Sequence, residues 1–129
     1  MPFDISEELV VATEQRLGGR LPDRYRSAMM RSNGGSVEVA DDVWDLHPIA
    51  DTSDRKRLGR TANHIIAETA LCQEWPSFPR SAIAIAANGA GDRLVIKRGA
   101  RDFESTVYMW SHETGLCDVV ADEFSDLLN

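Results

Sequence analysis

Residues 82–97 read Ala-Ile-Ala-Ile-Ala-Ala-Asn-Gly-Ala-Gly-Asp-Arg-Leu-Val-Ile-Lys, and this stretch decides the fold. Residues 82–86 alternate Ile83 and Ile85 with alanines and are apolar on both faces, which predicts a central strand. Residues 88–92 carry the glycines and short polar side chains that are typical of a turn. Residues 94–97 predict a second strand. Because the link between the two strands is short, we expect them to pair antiparallel.

Four more strands are predicted on either side of this hairpin. Two short strands rich in β-branched and aromatic residues are expected at 37–39 and 43–46, and Pro48 ends the second one. Two others, at 107–110 and 116–121, flank a polar segment that is typical of a hairpin turn. The sheet is therefore expected to contain about six strands.

Helical spacing of apolar residues occurs before, between and after these strands. A first helix is predicted from Asp4 or Ser6, either of which can cap it, to Gly18-Gly19. A short second helix is predicted from Pro22 to the glycine-containing stop at residues 33–35.

A central helix is predicted over apolar positions 58–69, beginning between Thr52 and Thr61 and ending before Trp75-Pro76. A terminal helix is expected to begin at an Asp122 cap and to turn three apolar side chains inward, namely Phe124, Leu127 and Leu128. The sequence thus predicts one α+β domain over residues 1–129, with helices at both chain ends and one in the middle.

The composition limits the classes of partner. The chain has 129 residues, 14 basic and 21 acidic side chains and a net charge of −7. A chain with this charge and no sustained basic face is poorly suited to nucleic acid. No apolar run approaches the roughly 20 residues that cross a bilayer, so no membrane partner is expected. Acidic residues stand where a secretory signal would be basic and then apolar, which predicts a cytoplasmic protein.

Four stretches of the chain together resemble the SUKH superfamily, which includes the SMI/KNR-type domains. They are residues 14–25, the Asn-Gly-Gly at 33–35, residues 85–92 and residues 107–124. The order and spacing of all four carry the resemblance, which extends over nearly the whole chain. It implies an α+β fold with a curved antiparallel sheet and a role in protein binding. Bacterial members typically neutralise a co-encoded toxin, and eukaryotic members act as regulatory interaction domains.

Two motifs that resemble metal or cofactor sites are incomplete. His112-Glu113 would need a second histidine four residues after the first for a zinc site, and Leu116 occupies that position. Gly89-Ala90-Gly91 lacks the third glycine of a dinucleotide fingerprint and leads into a strand instead of a helix. We therefore predict no metal and no cofactor.

Two cysteines, Cys72 and Cys117, are expected to be reduced core thiols without a disulfide. An alternative is a small hydrolase that uses a carboxylate pair, or Cys117 as nucleophile with a histidine base. The candidate bases are His47, His64 and His112.

A basic run lies near the start of the predicted central helix and is interpreted as a solvated helix start rather than a phosphate site. It comprises Arg55, Lys56, Arg57 and Arg60.

Acidic side chains are concentrated in a segment around Trp44. Between residues 38 and 54 there are six acids and no Lys or Arg: Glu38, Asp41, Asp42, Asp45, Asp51 and Asp54. These acids either keep the chain soluble or attract a cationic partner, and Trp44 is either core, which we favour, or an anchor for that partner. A second acidic group near the C-terminus comprises Asp118, Asp122, Glu123 and Asp126. Asp92, beside the predicted turn, either braces the turn or contacts a partner.

The function expected from these observations is that of a non-enzymatic immunity protein, which neutralises a bacterial polymorphic or contact-dependent toxin by direct binding. The predicted binding residues are the six acids of residues 38–54 together with Asp92, Asp118, Asp122 and Glu123. If the toxin acts on nucleic acid it is expected to be basic. The alternative function is an intracellular regulatory or scaffold domain.

Overall fold

A six-stranded antiparallel sheet organises the protein, as predicted, and the structure is α+β. The computed structural model describes residues 2–128. The strands are β1 Ser36–Val39, β2 Asp42–Leu46, β3 Ala82–Ala87, β4 Arg93–Lys97, β5 Val107–Trp110 and β6 Cys117–Ala121. The helices are α1 Glu7–Leu17, α2 Asp23–Arg31, α3 Arg55–Arg60 and α4 Ile65–Cys72, followed by a 3₁₀ turn at Phe124–Leu127. Within residues 2–128, no helix has the length and apolar character needed to cross a membrane.

Each strand of the curled sheet pairs with its neighbours in the chain, in the order β1-β2-β3-β4-β5-β6. Successive strands run in opposite directions, so alternate connections lie at opposite ends of the sheet. The turns β1–β2, β3–β4 and β5–β6 therefore share one end. The longer connections, residues 47–81 and 98–106, leave from the other end.

The central helix was predicted as one element, and the structure divides it into α3 and α4. The Asp54 side chain accepts a hydrogen bond from the Arg57 amide (2.8 Å) and caps α3. The Thr61 hydroxyl, at the end of α3, donates to the Arg57 carbonyl (3.0 Å). His64 Nδ1 then accepts from the Ala67 amide (3.2 Å) and starts α4. Two side-chain caps within a few residues of each other explain the break, because each satisfies backbone groups that a continuous helix would pair internally.

The terminal helix is a single 3₁₀ turn, and its cap is Glu123 instead of the predicted Asp122. The Glu123 and Asp126 side chains form a reciprocal capping box. Phe124 is buried, as expected, and meets the Tyr25 ring edge-on with 5.0 Å between centroids. The prediction was wrong for Leu128, which is exposed because the turn ends before it.

The two faces of the sheet carry separate apolar clusters. Leu94 and Ile96 belong to the larger cluster, which includes side chains of α1 and α2. Val95 lies between them in β4 and belongs to a smaller cluster with Phe78 and Trp110. This division follows from the alternation of side chains along a strand.

A buried ion pair joins α1 to α2. Arg26 Nε donates to Glu14 Oε2 (3.0 Å), and Arg26 Nη2 donates to Glu14 Oε1 (3.3 Å). The Leu21 amide also donates to Glu14 Oε2 (2.6 Å), so this carboxylate holds the loop between the helices as well. The side chains of Glu14 and Arg26 are 10% and 7% exposed. Arg26 Nη1 also meets Glu7 Oε2 at 3.3 Å, so removal of Arg26 is the change that would leave a buried charge, that of Glu14, without its partner.

We predict that Arg26→Leu lowers the free energy of unfolding by about 3–5 kcal/mol, because the Glu14 carboxylate loses its counter-charge. The double variant Glu14→Gln, Arg26→Leu should recover a substantial part of that loss, since the introduced amide keeps an acceptor for the Leu21 amide without the charge. Urea unfolding followed by circular dichroism measures both. Equal destabilisation in the single and double variants would contradict the role given to the buried charge.

Candidate protein-binding surface

Three hairpin turns form one continuous edge of the molecule, which we call the turn edge: residues 40–41, 88–92 and 111–116. Its first turn is tight, because β1 and β2 are separated only by Ala40 and Asp41, whose φ angles are 54° and 63°. Left-handed conformations at both central residues match the twist of a two-residue hairpin. The second and third turns lie beside the first because all three hairpins point the same way.

Asn88 joins the first turn to the second. Its Oδ1 accepts hydrogen bonds from the amides of Ala90 and Asp92, both at 3.0 Å, and so closes the β3–β4 turn. Its Nδ2 donates to Asp42 Oδ2 at 3.0 Å, across to the start of β2. One asparagine therefore both shapes its own turn and fixes the neighbouring carboxylate.

Asp92 joins the second turn to the third. Its Oδ1 lies 2.8 Å from His112 Nδ1 and accepts a hydrogen bond from the His112 amide at 3.2 Å. Partial burial raises the pKa of Asp92, but the hydrogen bonds from His112 and Asn88 outweigh burial, and the net pKa lies below the usual value. Asp92 therefore braces the turn, and it remains partly exposed at the turn edge.

The β1–β2 hairpin presents carboxylates outward. Val37, Val39, Trp44 and Leu46 point into the core, and Trp44 is 1% exposed, which confirms the interpretation of Trp44 as core. The alternate strand positions Glu38 and Asp45 are exposed, and so is Asp41 in the turn between the strands. Those three carboxylates have neither a hydrogen bond nor an ion pair to any other part of residues 2–128. They are thus free to act on a partner.

Two of the predicted acids lie away from this surface. The Asp51 side chain is 2% exposed, accepts from the Ser53 hydroxyl (2.6 Å) and pairs with Arg57 Nη1 (3.2 Å). Burial raises the pKa of Asp51, but these contacts outweigh burial and lower it overall. Asp54 caps α3 and faces the Arg57 guanidinium at 3.9 Å. The inclusion of Asp51 in an exposed acidic surface was therefore wrong. Asp54 is exposed, but it contacts Arg57 and α3 instead of the β1–β2 hairpin.

The basic run pairs with the N-terminal segment. The cations of Arg57 and Arg60 lie 4.3 and 4.5 Å from the centre of the Phe3 ring, and Lys56 lies 5.7 Å away. Arg57 Nη1 also donates to the Asp4 carbonyl at 3.0 Å. These contacts hold Phe3 and Asp4 against α3, a role that the sequence pattern does not indicate.

The acids of the second group lie at different places, one on β6 and the others after its end. Asp118 is exposed on β6 opposite Met109. Asp122 and Glu123 follow the end of β6, at the end of the sheet opposite the turn edge. Glu123 faces Arg24 of α2 at 3.8 Å. The structure therefore separates Asp122 and Glu123 from the acids of the β1–β2 hairpin.

The cysteine and histidine side chains are distributed over separate parts of the fold. Cys117 is half-buried on β6 opposite Trp110, and burial raises the pKa of its thiol. His112 is bound to Asp92, and His64 caps α4. Burial also raises the pKa of Cys72. A thiol whose pKa is raised is a weaker nucleophile at neutral pH, so this arrangement does not favour the cysteine-hydrolase alternative.

His47 is buried between the sheet and α4, at 4% exposure. Neither ring nitrogen has a hydrogen-bond partner among residues 2–128, and the Glu68 carboxylate lies 3.8 Å from Nε2. Burial and the nearby Arg93 charge lower the pKa of His47 to about 4, although Asp45 opposes the shift. At neutral pH the imidazole is therefore uncharged. Within residues 2–128, no group of three His, Cys, Asp or Glu side chains is arranged to hold a metal ion.

We predict that His47 makes the fold sensitive to mild acid. The unfolded chain binds a proton near pH 6.5 and the folded chain only near pH 4, so the unfolded state holds more protons between these values and stability falls as pH drops through that window. The expected loss is about 2 kcal/mol between pH 7 and pH 5. His47→Leu should flatten this dependence when thermal unfolding is measured at several pH values. An unchanged pH profile in His47→Leu would contradict the prediction.

The comparisons with known proteins agree with this fold. The family model described as the SMI1 / KNR4 family (SUKH-1) matches residues 4–129, which is nearly the whole chain. No curated protein matches the chain. The match covers all six strands and all four helices, in agreement with the resemblance carried by the turn and helix motifs. The chain belongs to the SMI1/KNR4 family (SUKH-1).

Proposed function

We propose that this protein is an immunity protein that neutralises a co-encoded toxin by binding it directly, through the acidic turn edge and the adjoining β1–β2 hairpin. The observation that carries the proposal is a set of exposed carboxylates without internal partners, held on rigid hairpins in a domain of a family associated with protein interaction. Binding, rather than catalysis, is what such a surface performs.

The charge distribution favours a basic partner. Residues 32–54 contain no Lys or Arg, and Glu38, Asp41 and Asp45 extend outward from this segment. Arg93, at the start of β4, donates to the carbonyls of Gly91 (2.9 Å) and Asp92 (3.2 Å) and is thereby held against the turn backbone. An acidic surface of this kind speeds the encounter with a cationic protein and does so less at high salt.

The immunity role is tested by the gene that lies immediately upstream. Expression of that gene alone in a bacterial host should arrest growth, and co-expression of this chain should restore it. The two purified products should form a stoichiometric complex. A toxic product that this chain neither binds nor neutralises would contradict the proposal. Binding to a non-toxic cellular protein instead would favour the regulatory-domain alternative.

The acidic surface yields a quantitative prediction. The variant Glu38→Lys, Asp41→Asn, Asp45→Lys should slow association with the upstream gene product by at least about tenfold at low salt, because the attraction is removed. Asparagine is chosen at residue 41 because it tolerates the left-handed φ of 63°. Stopped-flow mixing at several salt concentrations measures the association rate.

A matched variant controls for net charge. Glu8→Lys, Glu104→Lys, Asp122→Asn changes the charge by the same amount at exposed positions outside the turn edge and the β1–β2 hairpin. Its association rate should stay within a few-fold of that of the unmodified protein. Equal slowing by both variants would show that only total charge matters and would contradict the placement of the interface.

A further inference from the structure

Trp75 differs from the other two tryptophans in its exposure. Trp44 and Trp110 are each 1% exposed, whereas Trp75 is 48% exposed in the connection that follows α4. Tryptophan is one of the residue types enriched among side chains that dominate the energy of protein interfaces. An indole left half open to water on a folded domain therefore needs an explanation.

The Trp75 ring is held in place although it is not buried. It meets the Trp110 ring edge-on at 6.1 Å and the His112 ring edge-on at 5.7 Å. Its backbone amide donates to the Cys72 carbonyl at 2.9 Å, and Trp110 Nε1 donates to the carbonyl of nearby Ser77 at 3.3 Å. A side chain that neighbouring rings already restrain loses less conformational entropy when a partner covers it.

A second exposed apolar side chain adjoins the same segment. Leu116, at the end of the third hairpin turn, is 64% exposed. The residue before it, Gly115, packs so closely on Ser77 that an added Cβ would lie 2.7 Å from Ser77 Cβ. The third turn and the Trp75 segment are therefore in direct contact through Gly115 and Ser77. Leu116 follows Gly115 in the chain, and Trp75 lies two residues before Ser77.

Direct contacts connect Trp75 to the carboxylates of the turn edge. Trp75 packs on His112, His112 is bound to Asp92, and the Asp92 turn reaches Asp42 through Asn88. Two exposed acids, Glu74 and Glu113, are sequence neighbours of Trp75 and His112. The exposed indole thus lies at one end of a row of carboxylates.

We infer that Trp75 and Leu116 form the apolar anchor of the toxin-binding surface, and that the occupant is a basic protein surface with an apolar side chain next to Lys or Arg. This inference rests on the proposed function and adds the residues that supply most of the binding energy. The carboxylates attract the cations of the partner, and the open indole face accepts an apolar or guanidinium group. A second copy of this chain fits poorly, because it would bring one acidic turn edge near another at a net charge of −7 each.

The test compares two substitutions at the anchor with one matched substitution elsewhere. The probe is the purified product of the upstream gene, titrated by calorimetry. Trp75→Ala and Leu116→Ser should each raise its dissociation constant at least about tenfold, mainly through faster dissociation. Leu58→Ser, at a similarly exposed leucine on α3, should change it less than about threefold.

The outcomes separate the two claims. If the unmodified chain binds the probe and both anchor variants bind as tightly as Leu58→Ser, the anchor is overturned and the proposed function stands. If the unmodified chain does not bind the probe, the proposed function fails and the anchor fails with it. Because Trp75→Ala also loses contacts with Trp110, the melting temperature of this variant is measured as a control. If Trp75→Ala unfolds, the affinity of Leu116→Ser tests the anchor instead. Self-association that Trp75→Ala abolishes would identify a second copy as the occupant and overturn the inference.

Discussion

The strictly sequential order of an antiparallel sheet is the constraint on which the surface depends. Each strand pairs with its chain neighbours, so every second connection must return to the same end of the sheet. Three short turns from distant parts of the sequence thereby become neighbours. The long connections leave from the other end of the sheet, and the first of them carries α3 and α4 before its residues 75–77 reach the third turn.

Specific side chains hold the three neighbouring turns together as a rigid surface. Asn88 and Asp92 each bond within their own turn and across to the next one. Gly91, at φ 99°, allows the His112 ring to approach, since an added Cβ would lie 3.3 Å from it. The Trp75 segment is then fixed against His112 and Gly115. Rigid hairpins that present unpaired carboxylates and an exposed indole favour binding, because they lose little conformational entropy when a partner binds.

The parts of the fold that depend on local pattern could be predicted from the sequence. Residues 82–97 predicted their hairpin correctly because apolar strands and a polar, glycine-containing turn are short-range signals. The sequence pattern did not predict the break between α3 and α4. The break depends on hydrogen bonds made by Asp54, Thr61 and His64, and the apolar spacing alone also fits one continuous helix. The burial of Asp51 was missed because its partner Arg57 had been interpreted as solvated. In the sequence, Trp75 indicated only the end of a helix, because it precedes Pro76. Its exposure could not be predicted, since it depends on how much of the ring Trp110 and His112 cover.

Hydrogen–deuterium exchange of this chain, free and in complex with the upstream gene product, tests the turn edge as the binding surface most directly. The account predicts slower exchange on binding at residues 40–41, 88–92 and 111–116 and around Trp75, with little change in α1, α2 and the C-terminal 3₁₀ turn. Protection confined to the helices and the C-terminal turn, with the three hairpin turns unaffected, would contradict it.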